Sequence, residues 1–191
     1  MPRHRFTNTK ERIERAAIEL FVTRGVDATS VRDVARAVDI SEGALYRHFA
    51  GKNELVWEVF ERHYVQFGGR LESLARTETT ARGKLAAMIR GFCHAYDEDP
   101  LLFRFLLFVQ HDQLNKLASG TANPVDAVRT VIADAIGANE LPDQDPDLAT
   151  ALVFGIVLQP VTFVAYGRLS SSLTSLCDRL VAASWAAVTT V

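Results

Sequence analysis

Arg47 and Glu42 carry the side chains in this sequence that best suit the edges of nucleic-acid bases. An exposed Arg bonds to O6 and N7 of guanine, and a Glu accepts from the amino group of cytosine. Between them, Ala44 offers a methyl group that can touch a thymine methyl, and Gly43 lets a backbone come close. The chemistry that these residue types predict is recognition of double-stranded DNA by hydrogen bonding.

Two short helices joined by a turn must position these residues. Ser30 is a good N-cap with Asp33 three residues later, the spacing of a capping box. Ser41 can cap a second helix, of about seven residues, that places only Leu45 and Phe49 in the core. This succession is the helix-turn-helix plan, in which the second helix keeps most of its surface for a groove.

The run from residue 13 to residue 55 resembles the N-terminal domain of the tetracycline-repressor (TetR) family of bacterial transcriptional regulators. The strongest match is Ser41-x-Gly43-x-Leu45-Tyr46-x-His48-Phe49, followed by Lys52 and Glu54-Leu55. The turn departs from the family pattern, since Asp39 stands where Gly is usual. Asp tolerates a left-handed backbone better than most residues, so we expect the turn to form.

The resemblance implies that several side chains around the two short helices bind phosphates. Tyr46, His48 and Lys52 are the implied contacts, joined by Thr29 and Ser30, which lie near a helix N-terminus where N–H groups favour anions. The predicted DNA-binding set is Thr29, Ser30, Arg32, Ser41, Glu42, Gly43, Ala44, Tyr46, Arg47, His48 and Lys52.

The overall charge excludes no class of function, because the 191 residues include 21 Lys and Arg and 23 Asp and Glu. The distribution says more: residues 1–54 hold 10 basic and 8 acidic side chains, and the remainder hold 11 and 15. A mildly basic N-terminal region followed by an acidic remainder is typical of a protein that binds phosphates through one end only.

Residues 1–7 form a basic tail of a kind that is mostly disordered, although a minority of such tails touch the minor groove. The tail has no apolar core, so we expect no signal peptide and a cytoplasmic protein.

Helical spacing of apolar residues continues along the chain, and no strand alternation competes with it. We predict an all-α fold of about nine helices. Residues 1–53 would form a three-helix DNA-binding domain, and residues 54–191 a helical regulatory domain for ligand binding and dimerisation. A long helix from Lys52 to about Ala75 would belong to both domains.

Residues 148–166 contain no charged side chain. Length alone makes this segment a transmembrane candidate, but Gln159, Pro160 and the amphipathic neighbouring helices favour a subunit interface. The resemblance implies a homodimer formed through the last two helices, and closure of the core is the simpler alternative. The predicted interface residues are Leu152, Ile156, Leu173, Leu176, Leu180, Ala183 and Ala187.

A ligand pocket in the middle helices is also implied by the resemblance. Aromatic residues could line an apolar cavity with Gln or His as polar anchors, although aromatics at helical spacing are more often plain core. The predicted pocket residues are Phe60, Tyr64, Phe92, Tyr96, Phe103, Gln110, His111, Phe154, Gln159 and Phe163.

Catalysis and metal binding find little support in the sequence. His111, Asp112 and His94 lack a third ligand at a suitable spacing, and Cys93 and Cys177 fit buried free thiols. We therefore predict no enzyme activity and no cofactor.

The favoured function is a repressor released from a palindromic operator by a small apolar or amphipathic ligand. The alternative is a DNA-binding activator or architectural protein controlled by a protein partner.

Overall fold

A computed structural model describes residues 8–190, which contain helices and no strand. The predicted basic tail, residues 1–7, lies outside the described residues. Over the described range the predicted all-α fold of about nine helices is confirmed. The helices are α1 (Thr9–Arg24), α2 (Val31–Ala37), α3 (Glu42–Tyr46), α4 (Lys52–Ala75), α5 (Ala81–Glu98), α6 (Pro100–Gln113), a 3₁₀ turn (Leu114–Lys116), α7 (Pro124–Gly137), α8 (Pro146–Ala165) and α9 (Leu173–Thr189).

Local sequence signals start and stop the first three helices. The side chains of Asn8, Ser30 and Ser41 each accept a hydrogen bond from a backbone N–H in the first turn of the helix that follows. At α2 the bond is reciprocal, because Asp33 also accepts from the backbone of Ser30. Gly25 ends α1 with φ +90°, a conformation that a side chain would strain. The caps predicted at Ser30 and Ser41 are therefore confirmed.

The turn between α2 and α3 depends on a left-handed residue. Asp39 has φ +56°, so the expected turn forms with an Asp in the left-handed conformation that glycine adopts most readily. Arg12 of α1 donates from Nη2 to the carbonyl of Val38 at 2.7 Å and holds the chain beside this turn. Helix α3 ends at Tyr46, earlier than its predicted end near Phe49, which is nevertheless buried.

Packing divides the chain into two compact units. The first runs to His63 and also includes Leu101–Ser119; the second comprises Tyr64–Pro100 and the residues from Gly120 onward. Helix α4 supplies residues to both units. The predicted boundary between residues 53 and 54 is a functional division, and it stays a prediction.

The core of the first unit is built from α1, α2, α3, the start of α4, and α6. Its fully enclosed side chains include Ile13, Leu45, Phe49, Leu55 and Phe105. The rings of Phe21 and Phe105 stack with centroids 6.0 Å apart, which joins α6 to α1.

The first unit also buries one carboxylate. Glu14 of α1 is buried and pairs with Arg62 of α4, so its charge is compensated within the unit.

In the second unit, carboxylates from distant segments cap two helices. Asp97, at the end of α5, accepts from the backbone N–H groups of Leu173 at 3.0 Å and Thr174 at 2.8 Å. Glu140 accepts from the N–H of Ala81 at 2.8 Å in the same way. These bonds satisfy N–H groups that the first turns of α9 and α5 leave unpaired.

Gly68 marks the closest approach of α4 to the start of α7. A Cβ placed on Gly68 would lie 2.6 Å from Cα and 2.7 Å from N and C of Asn123, the N-cap of α7. Only a residue without a side chain allows this packing distance.

Candidate nucleic-acid interface

An open groove of about 380 Å³ lies on the first unit, where α2, α3 and the start of α4 meet. It brings together six of the predicted DNA-binding residues: Thr29, Ser30, Arg32, Glu42, Tyr46 and Lys52. The groove is also lined by three residues outside the predicted DNA-binding set: Asp27, Ala28 and Val31. The other five predicted residues belong to α3 or adjoin it without lining the groove.

Lys52 is fixed in this groove by the loop that follows α1. Its Nζ donates to the carbonyl of Val26 at 2.9 Å and to that of Asp27 at 3.3 Å. An ammonium group has three donors, so one N–H remains for an anion after these two bonds.

Glu42 and Arg32 face each other across the helix-turn-helix. The carboxylate lies 3.6 Å from Nε of the guanidinium, and both side chains are exposed. The two charges of opposite sign partly compensate each other, and the spacing of these residues in the sequence did not predict the pair.

Ser30 and Thr29 play different parts at the start of α2. The Ser30 hydroxyl donates to Asp33 at 2.5 Å, and this hydrogen bond lowers the pKa of the Asp33 carboxyl. Thr29 is only 1% exposed, and its hydroxyl donates to the carbonyl of Gly25 at 2.8 Å. Both donors of Thr29 are therefore committed inside the unit, because its backbone N–H also donates to the carbonyl of Val26 at 3.3 Å.

The outer face of α3 and its C-cap are open to solvent. Tyr46, Arg47 and His48 are exposed, and Ala44 is partly buried. A Cβ on Gly43 would meet nothing closer than the Ser41 hydroxyl at 4.0 Å, so internal packing does not require glycine there. A glycine inside a helix costs about 0.5–1 kcal/mol relative to alanine. Its place on the exposed face is consistent with close approach of a partner.

The predicted pocket residues are divided between the two units. Phe60, Phe103, Gln110 and His111 belong to the first unit, and the other six belong to the second. Within the second unit the rings of Phe92 and Tyr96 lie 6.5 Å apart.

Not all of these predicted pocket residues are enclosed. His111, Gln159 and Phe163 are exposed, whereas Phe60, Phe92 and Phe103 are buried. The pocket stays a prediction.

The predicted interface residues separate into two groups. Leu173 and Leu180 are buried in the chain's own core, so neither presents a surface to a second molecule. Leu152 and Ala183 are exposed, while Ile156, Leu176 and Ala187 are partly buried. Helix α8 is apolar on nearly every side, so periodicity could not tell its inward face from its outward one.

Helix α8 is the one helix among residues 8–190 that is long and apolar enough to cross a bilayer. Of its most apolar stretch of 18 residues, 28% is buried inside the protein. Leu148 is 60% exposed on this helix and Phe163 is 44% exposed. Over the same residues, no three His, Cys, Asp or Glu side chains are grouped as metal ligands.

Comparison with known proteins assigns the helix-turn-helix region to a family. Residues 13–59 match the model of the tetR family of bacterial regulatory proteins. The transcriptional repressor KstR2 of Mycolicibacterium smegmatis is 33% identical over 88 residues, which are 46% of this chain and 43% of that protein. The chain thus spans less than half the length of such curated relatives.

Two further similarities extend beyond the helix-turn-helix region. The fatty acid metabolism regulator protein of Bacillus subtilis is 25% identical over 155 residues, which are 77% of this chain and 78% of that protein. The crystal structure of FadR from Bacillus subtilis in complex with stearoyl-CoA superposes with a TM-score of 0.74 at 19% identity, covering 95% of this chain and 98% of that one. At that identity the likeness shows the fold alone. On the sequence match, residues 13–59 form a DNA-binding region of the tetR family of bacterial regulatory proteins.

Proposed function

We propose that this protein is a bacterial transcriptional regulator that binds a palindromic operator as a homodimer. It acts as a repressor in the cytoplasm, performs no catalysis, and leaves the DNA when a small apolar or amphipathic ligand binds. The observation that carries the proposal is the groove beside α3. There Ser30, Tyr46 and Lys52 line one open surface within the region that matches the family.

The groove and the exposed face of α3 have different roles in DNA binding. Lys52, Tyr46 and the start of α2 contact phosphates, which fix the register without reading sequence. Arg47, exposed at the C-cap of α3, contacts a guanine edge in the major groove. Gly43 and Ala44 allow α3 to approach the bases.

Dimerisation is supported by the apolar surface of α8 and by the small side chains of α9. Leu148, Leu152 and Phe163 are exposed large apolar residues on one helix, and such a patch marks an interaction surface. On α9 the exposed small residues are Ala182, Ala183 and Ala186, which permit close packing of a second helix. A two-fold dimer presents two copies of α3, which requires a palindromic site.

A substitution on α8 tests the dimer. Leu152→Glu places a charge on the exposed patch, so we expect sedimentation equilibrium to shift toward the monomer and operator affinity to fall. Val125→Glu is the matched control, because Val125 is an exposed apolar residue on α7. A Leu152→Glu protein that remains dimeric would remove this helix from the interface.

The proposal of an amphipathic ligand draws on the relatives and on the aromatic residues of the chain. FadR of Bacillus subtilis was crystallised with stearoyl-CoA, an amphipathic thioester. Aromatic side chains such as Phe92 and Tyr96 provide the apolar surface that a ligand of that class needs.

DNA binding is tested by titrating the full chain against duplexes that tile the DNA flanking its own gene, at several salt concentrations. We expect one duplex to bind far more tightly than random DNA, with a footprint of dimer size. A reporter gene carrying that duplex upstream separates the two regulatory directions, because deletion of a repressor raises expression and deletion of an activator lowers it.

Two variants separate base contacts from phosphate contacts. Arg47→Ala should lose about 1–3 kcal/mol of selectivity at one G·C pair. Lys52→Ala should weaken all sequences alike and reduce the salt slope by about one. Arg82→Ala, at an exposed position of α5, is the control. Equal losses by Arg47→Ala on operator and random DNA would remove Arg47 as a base contact.

A further inference from the structure

Arg104 is the only Lys or Arg on α6, a helix made mostly of Leu and Phe. The side chain is partly buried, between the buried residues Phe103 and Phe105 in the sequence. Its Nε is buried and has no hydrogen-bond partner among the described residues. A charged side chain with an unsatisfied buried donor therefore lies on a largely apolar helix of the first unit.

Helical geometry does not supply a counter-charge for Arg104. The positions three and four residues away on α6 are Pro100, Leu101, Leu107 and Phe108, and none of them is acidic. A buried donor without a partner is rare in native proteins and calls for an explanation such as an ion or a bound ligand. If only packing mattered at this position, Met would fill similar space without carrying a charge.

The surroundings of Arg104 indicate what kind of anion would bind. Phe108, one helical turn further along α6, is 62% exposed, and Leu101 and Leu107 are partly buried. Apolar side chains thus lie at the helical positions next to the charge. This arrangement suits a molecule that carries an oxyanion at one end of a hydrocarbon chain.

We propose that Arg104 binds the oxyanion, carboxylate or phosphate, of an amphipathic effector through its unpartnered Nε–H. The guanidinium is suited to this task, since its fork of N–H donors matches both groups in two-point contact. The proposal rests on the proposed function in one respect: the bound amphiphile is taken to be the ligand that controls DNA binding.

Calorimetric titration of the full chain with three ten-carbon probes tests this assignment. The probes are decanoate, decyl phosphate and uncharged decanol, each kept below its micelle concentration. The protein variants are Arg104→Met, Arg104→Lys and the exposed control Arg82→Met.

We expect the wild type to bind at least one of the anionic probes. Arg104→Met should lose about ten- to a hundred-fold in affinity for that probe. It should keep its affinity for decanol, and Arg82→Met should behave as the wild type. Arg104→Lys keeps the charge without the planar fork and should fall between the wild type and Arg104→Met. The anionic probe whose affinity falls in Arg104→Met shows whether the bound group is a carboxylate or a phosphate.

Thermal melting of the ligand-free protein separates this role from a structural one. Because Arg104→Met removes an unsatisfied buried donor, its midpoint should equal or exceed that of the wild type. A lowered midpoint would show that the guanidinium stabilises the fold and would count against the proposal. Unchanged affinity of Arg104→Met for the anions, or no binding of either anion by the wild type, would overturn it.

DNA binding distinguishes failure of this inference from failure of the proposed function. If the protein binds an anionic probe through Arg104 but binds no operator selectively, the inference stands and the regulator proposal fails. If operator binding is selective and the anion has no dependence on Arg104, the regulator proposal stands and the inference fails.

Discussion

The carboxylate of Glu42, at the first position of α3, lies 3.6 Å from Nε of Arg32 on α2. The residue type of Glu42 predicts a contact with cytosine, but in the protein without DNA this carboxylate already has a cationic neighbour. Exposed ion pairs contribute little to stability. The pair matters more for the charge that the groove presents, because Glu42 offsets a guanidinium that would otherwise face phosphates.

Glu42→Gln should therefore strengthen binding to all DNA sequences. We expect affinity for operator and random duplexes to rise together, and the salt slope to increase by about one, because Arg32 becomes available to a phosphate. Affinity measured at three salt concentrations on both duplexes checks this. Loss of preference at a single C·G pair with an unchanged slope would instead make Glu42 a base contact.

Adjacent glycines in α4 should respond in opposite ways to alanine. A Cβ on Gly69 meets no atom within 4 Å, whereas one on Gly68 collides with the Asn123 backbone. Gly69→Ala should raise the free energy of unfolding by up to about 1 kcal/mol. Gly68→Ala should lower it by about 1–3 kcal/mol, as overpacking does. Urea unfolding of both variants checks the pair, and equal effects would mean that α4 and the start of α7 are not in close contact.

Tyr64 should make stability fall at high pH. Burial, helped by the nearby charge of Asp126, raises the pKa of Tyr64 to about 12 from an ordinary value of 10. Between these two values the unfolded chain releases the phenol proton and the folded chain keeps it, so the free energy of unfolding decreases as pH rises. Tyr64→Phe should show a shallower decrease between pH 10 and 12. Parallel curves for wild type and variant would show that the phenol does not titrate differently on folding.

The two thiols should be inert in the folded protein. Burial raises the pKa of Cys93, and a hydrogen bond with Cys177 adds to the shift. Since the thiolate is the nucleophile, a disulfide reagent at pH 8 should label neither thiol in the native state and both in urea. Rapid labelling of the native protein would show that α5 and α9 open readily.

The helices and their ends were largely predictable because their signals are local. Ser30 and Ser41 each indicate a helix start within four residues of sequence, and both predicted caps are confirmed. The end of α3 was misplaced because Phe49 has helical spacing and is buried, yet the chain reaches it through a turn.

Partners that meet only in the folded chain were not predictable. Lys52 binds carbonyls 26 and 25 residues earlier in the sequence, and nothing in its local pattern marks them. Leu173 was predicted at a subunit interface and is buried in the chain's own core, because the apolar spacing on α9 does not say which neighbour covers that face. Charge pairs such as Glu42 with Arg32 depend on the crossing of two helices.

The hydrogen bonds that Asp97 accepts from α9 predict how the protein responds to a cut in the chain between α8 and α9. The segment that joins α8 to α9 is mostly exposed from residue 166 to residue 172, so a protease can reach it. The first turn of α9 is held by hydrogen bonds to a carboxylate on α5, and Leu173 is fully enclosed. A chain cut between Ser170 and Ser171 should therefore keep α9 in place as a non-covalent fragment. The two pieces, expressed separately, should reassemble into the second unit.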